Sequence, residues 1–178
     1  MIFQSTRIDG LWAIVIERHR DERGSFGRTF CEKEFTERGL NGRFVQSSTS
    51  VTRRAGTLRG MHYQRPPYEE VKLVRCVRGT IFDVVADVRP DSPSFGAWQG
   101  FRLGQDEDLS LYIPTGCAHG FLTLTDDVEV TYSMSTPFAP GFADGFRYDD
   151  PVFAIEWPAA PGLVAEKDLA WGPFQAGA

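Results

Sequence analysis

Glycine and proline break this chain at intervals of about eight to twelve residues, and the apolar runs between them are short. With 18 Gly and 11 Pro in 178 residues, that punctuation leaves room for short strands of a sandwich or barrel. It does not leave room for alternating strands and crossover helices. Inside the runs the period is two. Thr80 to Val88 reads TIFDVVADV, so Phe82, Val84, Ala86 and Val88 share one face, and Ile81, Asp83, Val85 and Asp87 share the other. Val128 to Met134 places Val128, Val130, Tyr132 and Met134 together, which puts a tyrosine hydroxyl on a core face where it needs a partner. Val71 to Val77, Ser110 to Ile113 and Phe121 to Leu124 read as further strands, the last two flanking a turn at Pro114-Thr115-Gly116.

One charged stretch, Glu32 to Arg38, ends at Gly39 and predicts a short surface helix. The tail from Pro158 to Ala178 is rich in Pro, Ala and Gly and predicts loop or a short helix. Nothing between these segments reads as a linker, so residues 1–178 are expected to form a single domain. With 42% hydrophobic residues and 14 Phe, the chain has material for a real core. The predicted class is all-β, with a few short peripheral helices.

Composition narrows the partners. A formal charge of −5 argues against nucleic acid, whose counterions nothing here would replace. No run approaches the roughly 18 apolar residues of a membrane span. The first twenty residues lack a basic start, a long apolar stretch and a small-residue cleavage site, so no leader is expected. Cys31, Cys76 and Cys117 are widely spaced and odd in number, which suits reduced thiols and a cytoplasmic location.

Two of the 3 histidines stand in unusual company. His62 follows Arg59-Gly60-Met61, and His119 precedes Gly120; a glycine beside each imidazole permits close approach of a ligand or another backbone. Either histidine alone reads as structural. Together with Lys72, Asp83 and Tyr132 on strand-like segments, they place several ionisable types in the interior of one small barrel, a costly arrangement unless it does chemistry. Arg23, in the turn Asp21 to Gly24, and Arg59, beside His62, are suited to bind an anion through a guanidinium fork. No glycine-rich phosphate loop is present, and Cys117 lacks the elbow of a nucleophile.

These residues resemble a known family. The stretches DERGSF (21–26), FVQ (44–46), LRGMHYQ (58–64), KLVRC (72–76), FDVVADVRPDSPSFGAW (82–98), IPTGCAHGF (113–121), EVTY (129–132), DDP (149–151), IEWP (155–158) and EKD (166–168) are similar, in consistent order, to the dTDP-4-dehydrorhamnose 3,5-epimerases. That family has a cupin-type jelly-roll barrel. The resemblance implies a cofactor-independent epimerase, without metal, acting on a nucleoside-diphosphate-4-ketosugar in deoxysugar or surface-polysaccharide biosynthesis, and a homodimer that exchanges strands. It implies His62 as general base, Asp168 as its orienting carboxylate, Tyr132 as the acid on the other ring face, and Lys72 and His119 around the carbonyl, with Asp83 beside one of them. Arg23, Arg59 and Lys167 would hold the diphosphate and sugar. Gln46 and Phe138 would touch the base, and Phe26, Arg28 and Ser48 complete the substrate-binding set. The chemistry fits: protons α to a 4-keto group need a base, an opposed acid and a cation near the oxygen.

Several positions depart from the family pattern. Arg28 stands for a glutamate, Ser47-Ser48 for Asp-Asn, Phe138 for a tyrosine, Ala143 for another glutamate, and Glu70 for a glutamine near Lys72. Read as changes on the nucleotide side, they predict a base or sugar other than that of dTDP-4-keto-6-deoxyglucose. Three other readings compete. A nucleotide-sugar 3,4-ketoisomerase shares the base chemistry. A metal-dependent cupin enzyme is suggested by Pro114-x-Gly116-x-x-His119, yet His62-Tyr63-Gln64 lacks the second histidine such a site wants. A sugar-nucleotide binding module without activity would have no use for an opposed acid and base.

Overall fold

The computed structural model describes residues 1–176. In chain order its elements are β1 (Ile2–Ser5), β2 (Trp12–Val15), β3 (Arg18–Asp21), β4 (Gly24–Gly27), α1 (Glu32–Thr36), β5 (Gln46–Thr52), β6 (Thr57–Gln64), β7 (Lys72–Arg78) and β8 (Thr80–Asp87). Then follow β9 (Trp98–Gly104), β10 (Leu109–Ile113), β11 (Cys117–Thr123), β12 (Val128–Met134), β13 (Ala143–Gly145), β14 (Leu163–Val164) and α2 (Glu166–Leu169). The architecture is the expected all-β jelly roll. One sheet runs β1-β2-β10-β7-β12-β5, and the other runs β13-β6-β11-β8-β9 with β14 added alongside β6. No helix among the described residues is long and apolar enough to cross a membrane.

The period-two pattern is what lets the sheets face each other. Val74, Cys76, Val128 and Val130 from one sheet meet Ile81, Val85, Leu103 and Phe121 from the other, filling one end of the barrel with apolar side chains. The alternate face of β8 is buried as well. Val84 and Ala86 pack under Phe146, Phe153 and Ile155 of the long C-terminal segment. Both faces of that strand are therefore dry, as its run of β-branched residues requires.

Two expectations need correction. The helix stops at Thr36 and is more than a surface feature: its one large apolar residue, Phe35, is fully buried among Ile14, Val71 and Tyr112. Gly39, at φ +71°, ends the turn that follows. The tail, expected as loop or a short helix, forms both α2 and the two-residue strand β14, parallel to β6. Its apolar signal, Leu163-Val164, is too short to be seen by periodicity; tertiary pairing makes it a strand.

Candidate active site

Beyond the apolar end of the barrel lies a cavity of about 520 Å³, and most of the chemistry-bearing residues converge on it. Arg59, His62, Lys72, His119, Tyr132, Lys167 and Asp168 all line it. They come from opposite walls. Lys72 of β7 and Tyr132 of β12 belong to one sheet, whereas Arg59 and His62 of β6 and His119 of β11 belong to the other.

Strict alternation would send Arg59 and His62 to opposite faces of β6. A bulge prevents this: Phe121 pairs with Arg59 but His119 pairs with His62, so two residues advance on β11 against three on β6. Gly60 sits within the bulge at φ +130°. A Cβ there would lie 2.5 Å from the Cα of Gly120, so the two glycines are each other's close neighbours. The same irregularity aims the Gly60 N–H at Asp168 Oδ2, 3.3 Å away.

Each histidine has its own buried carboxylate. His62 Nε2 lies 2.8 Å from Asp168 Oδ1, and Asp168 is only 2% exposed. Burial pushes the Asp168 carboxyl up, but the His62 hydrogen bond and charge, the Gly60 N–H and Lys167 together hold it below its ordinary value. With Nε2–H given to the carboxylate, the free lone pair of His62 is on Nδ1. His119 Nε2 lies 2.7 Å from Asp83 Oδ2, and both side chains are buried. Burial raises the Asp83 carboxyl above its ordinary range, against the pull of His119. Tyr132 stands edge-on to His119, with ring centroids 6.0 Å apart. Burial, and then the nearby Asp83 charge, push its phenol well above the usual value, so it carries its proton.

A smaller cavity of about 360 Å³ adjoins the first and shares His62, Lys72 and Lys167 with it. Phe138, Ala143 and Glu70 line it. Glu70 is paired with Lys72 at 2.5 Å. Ala143 and Glu70, two of the departures from the family pattern, line this smaller cavity together with His62, Lys72 and Phe138. Gln46 Oε1 accepts a hydrogen bond from the Phe138 N–H at 3.1 Å and so ties β5 to the rim. Ser48, opposite Tyr132 in the sheet register, is exposed; the serine of β5 that lines the large cavity is Ser50.

Besides Gln46, Ser48 and Asp83, three expected substrate-binding residues do not line either cavity. Arg23, Phe26 and Arg28 belong to the β3–β4 hairpin and its exit. Arg23 pairs with Asp21 at 2.5 Å, Arg28 pairs with Glu34 at 3.0 Å, and Phe26 is 76% exposed. One residue escaped the sequence reading altogether. Trp171 sets its ring edge-on to His62 at a centroid distance of 6.4 Å, and its only sequence signal is its place three residues after Asp168. Cys117, buried with its thiol pushed up to about 12 by burial, is no nucleophile. Among the described residues, no group of three or more His, Cys, Asp or Glu side chains is arranged to hold a metal ion.

Comparison with known proteins agrees in sequence and in shape. The profile of the family described as dTDP-4-dehydrorhamnose 3,5-epimerase matches residues 5–176. An enzyme of that name from Methanothermobacter thermautotrophicus is 42% identical over 176 residues, spanning 97% of this chain and 94% of its own. The crystal structure of the Elizabethkingia anophelis enzyme superposes with a TM-score of 0.94 at 32% identity, covering 98% of this chain and 96% of that one. A Legionella pneumophila dTDP-6-deoxy-D-glucose-3,5-epimerase, solved in complex with dTDP-4-keto-L-rhamnose, gives 0.89 at 36% identity, over 96% of this chain and 90% of that one.

Proposed function

The chain belongs to the dTDP-4-dehydrorhamnose 3,5-epimerase family, and from that premise we propose how its cavity inverts a sugar. It is an isomerase, an epimerase of nucleotide-linked 4-keto sugars in deoxysugar biosynthesis. The observation that carries the mechanism is that His62 and Tyr132 face one cavity from opposing sheets. A ring lying between them meets a base on one side and an acid on the other.

In the proposed reaction, His62 Nδ1 takes the proton from a carbon next to the 4-keto group, and the electron pair moves to the oxygen as an enolate. Asp168 holds the imidazole and stabilises it as it becomes charged. Lys72 and His119 stand around the oxygen and stabilise its developing charge. Tyr132, protonated because it is buried, returns a proton from the opposite face and inverts the centre. Arg59 and Lys167 are, among the described residues, the cavity-lining cations without a carboxylate partner, which suits them to the diphosphate. The same set serves C3 and C5 in turn, because both lie next to the carbonyl.

For the nucleotide we propose dTDP, the nucleotide named for all three relatives. The departures at Arg28, Ser47, Ser48 and Phe138 argue the other way, and direct competition decides. The 4-keto sugars of dTDP, UDP, GDP and CDP are incubated in D2O and scored for deuterium at each carbon. Preference for dTDP with label at both C3 and C5 supports the full reading. Label at one carbon reduces the enzyme to a single epimerisation, and migration of the keto group makes it a ketoisomerase. His62→Ala abolishes exchange at both carbons in this assay, whereas Tyr132→Phe keeps exchange and loses inversion. Wild-type turnover by His62→Ala would overturn the base assignment.

The hairpin residues complete the site only if another copy delivers them. We propose a homodimer in which β3–β4 of one protomer reaches the cavity mouth of the other, bringing Arg23, Phe26 and Arg28 to the nucleotide.

A further inference from the structure

Lys72 is the residue most in need of restraint, because a lysine is a point charge on a flexible four-carbon stem. Here it does not hang free. Glu70, two residues earlier and on the same side of the chain, approaches its ammonium to 2.5 Å. Glu70 is 8% exposed, and its second oxygen, Oε2, has no hydrogen-bond partner among the described residues. Lys72 is therefore the whole of that carboxylate's compensation. The backbone around Glu70 is pinned on both sides. Thr136 donates its hydroxyl to the Glu69 carbonyl at 2.8 Å, the Val71 N–H donates to Ser135 Oγ at 2.8 Å, and the Ser135 N–H donates to the Val71 carbonyl at 3.0 Å. The pair stands where the large and small cavities meet, with Lys72 lining both.

We infer that Glu70 is a positioning residue, whose carboxylate anchors the Lys72 ammonium at this junction so that its remaining N–H donors face the substrate's 4-oxygen. The inference rests on the assignment of Lys72 to that oxygen. Glu70 weakens the bare attraction between ammonium and enolate, since it shares the charge, and in return fixes the direction from which that charge acts. Donors already aimed at a developing oxyanion need no reorganisation during the reaction, so direction outweighs the lost charge. Glu70 does not touch the reacting atoms and works only through Lys72.

The test is a double-mutant cycle on kcat and KM with dTDP-4-keto-6-deoxyglucose, alongside thermal melts to establish folding. Glu70→Gln lowers kcat by on the order of tenfold with KM within about twofold, because the interaction is felt mainly in the transition state. Glu70→Asp, which keeps the charge but withdraws it by one methylene, retains more kcat than Glu70→Gln at a comparable melting temperature. In a Lys72→Met background, Glu70→Gln changes kcat by less than about twofold, since its route of action is gone. Wild-type kcat in Glu70→Gln, or the same tenfold loss in both backgrounds, would overturn the inference while leaving the role of Lys72 intact. Wild-type kcat in Lys72→Met would overturn the role of Lys72 and the inference with it.

Discussion

At the scale of single residues, three of the site's basic groups are each matched to a carboxylate. His62 has Asp168, His119 has Asp83 and Lys72 has Glu70. The first of these pairs makes stability depend on pH. Asp168 is held below its ordinary value of 3.8 in the folded chain, so the folded state binds its proton less readily than the unfolded one. Its contribution is fully present above about pH 4 and is lost as pH falls through the lower, folded value. Asp168→Asn removes about 1–2 kcal/mol at neutral pH, less than a fully buried pair would lose, because His62 is 39% exposed. Urea unfolding of the two proteins checks this: the gap at about pH 7 narrows by about pH 3, and a gap that stayed constant would sink the linkage. Residue types were legible from the sequence here, since an imidazole beside glycine and a tyrosine on a core face are visible anomalies. The pairings were less so. Asp83 and His119 are 36 residues apart and His62 and Asp168 are 106 apart, and only the resemblance joined the second pair.

At the scale of elements, β6 decides the geometry. Its bulge brings Arg59 and His62 to one wall, and Gly60 makes the bulge possible. Gly60→Ala forces a Cβ to 2.5 Å from the Cα of Gly120 and 3.0 Å from the His119 carbonyl, in a backbone region hostile to side chains. We expect a loss of about 2–5 kcal/mol, combining strain with overpacking, and a fall in solvent exchange as the N–H aimed at Asp168 moves. Gly141→Ala is the control: it meets nothing within 4 Å and has no positive φ, so it changes stability by less than about 0.5 kcal/mol. Chemical denaturation of the pair measures both, and equal stabilities would refute the close approach of the two strands. The strands that carry the site were legible because their period of two is clean. The bulge was not, since one extra residue leaves no mark in a hydrophobic pattern; the glycine signalled only that something comes near. β14 and the buried role of Phe35 in α1 were likewise hidden, because each is created by what packs on a short segment rather than by the segment's own pattern.

At the scale of the whole molecule, the most exposed large apolar side chain among the described residues is on the β3–β4 hairpin. Among the described residues the β3–β4 hairpin pairs only with itself, and it carries a phenylalanine, Phe26, that is 76% exposed. β5 is the open edge of its sheet, and Val45 and Val51 stand half exposed along it. An exposed aromatic on the hairpin and an unpaired strand edge elsewhere are two liabilities that a second copy would cover together. In a two-fold dimer each contact occurs twice. Phe26→Ala therefore forfeits two buried rings, at about 1.5–3 kcal/mol each, and raises the dimer dissociation constant by about two to four orders of magnitude. Sedimentation velocity over a concentration series reads that shift directly, and the substrate KM rises in parallel, because Arg23 and Arg28 leave the neighbouring mouth with the hairpin. The charge pattern argues the same way. Within one protomer the large cavity offers Arg59 and Lys167 to a diphosphate, whereas Arg23 and Phe26 line a separate hollow on the hairpin, apart from the residues that do the chemistry. A wild-type chain that sediments as a monomer at all concentrations, with full activity, would break this connection and return the hairpin to an ornament of the surface.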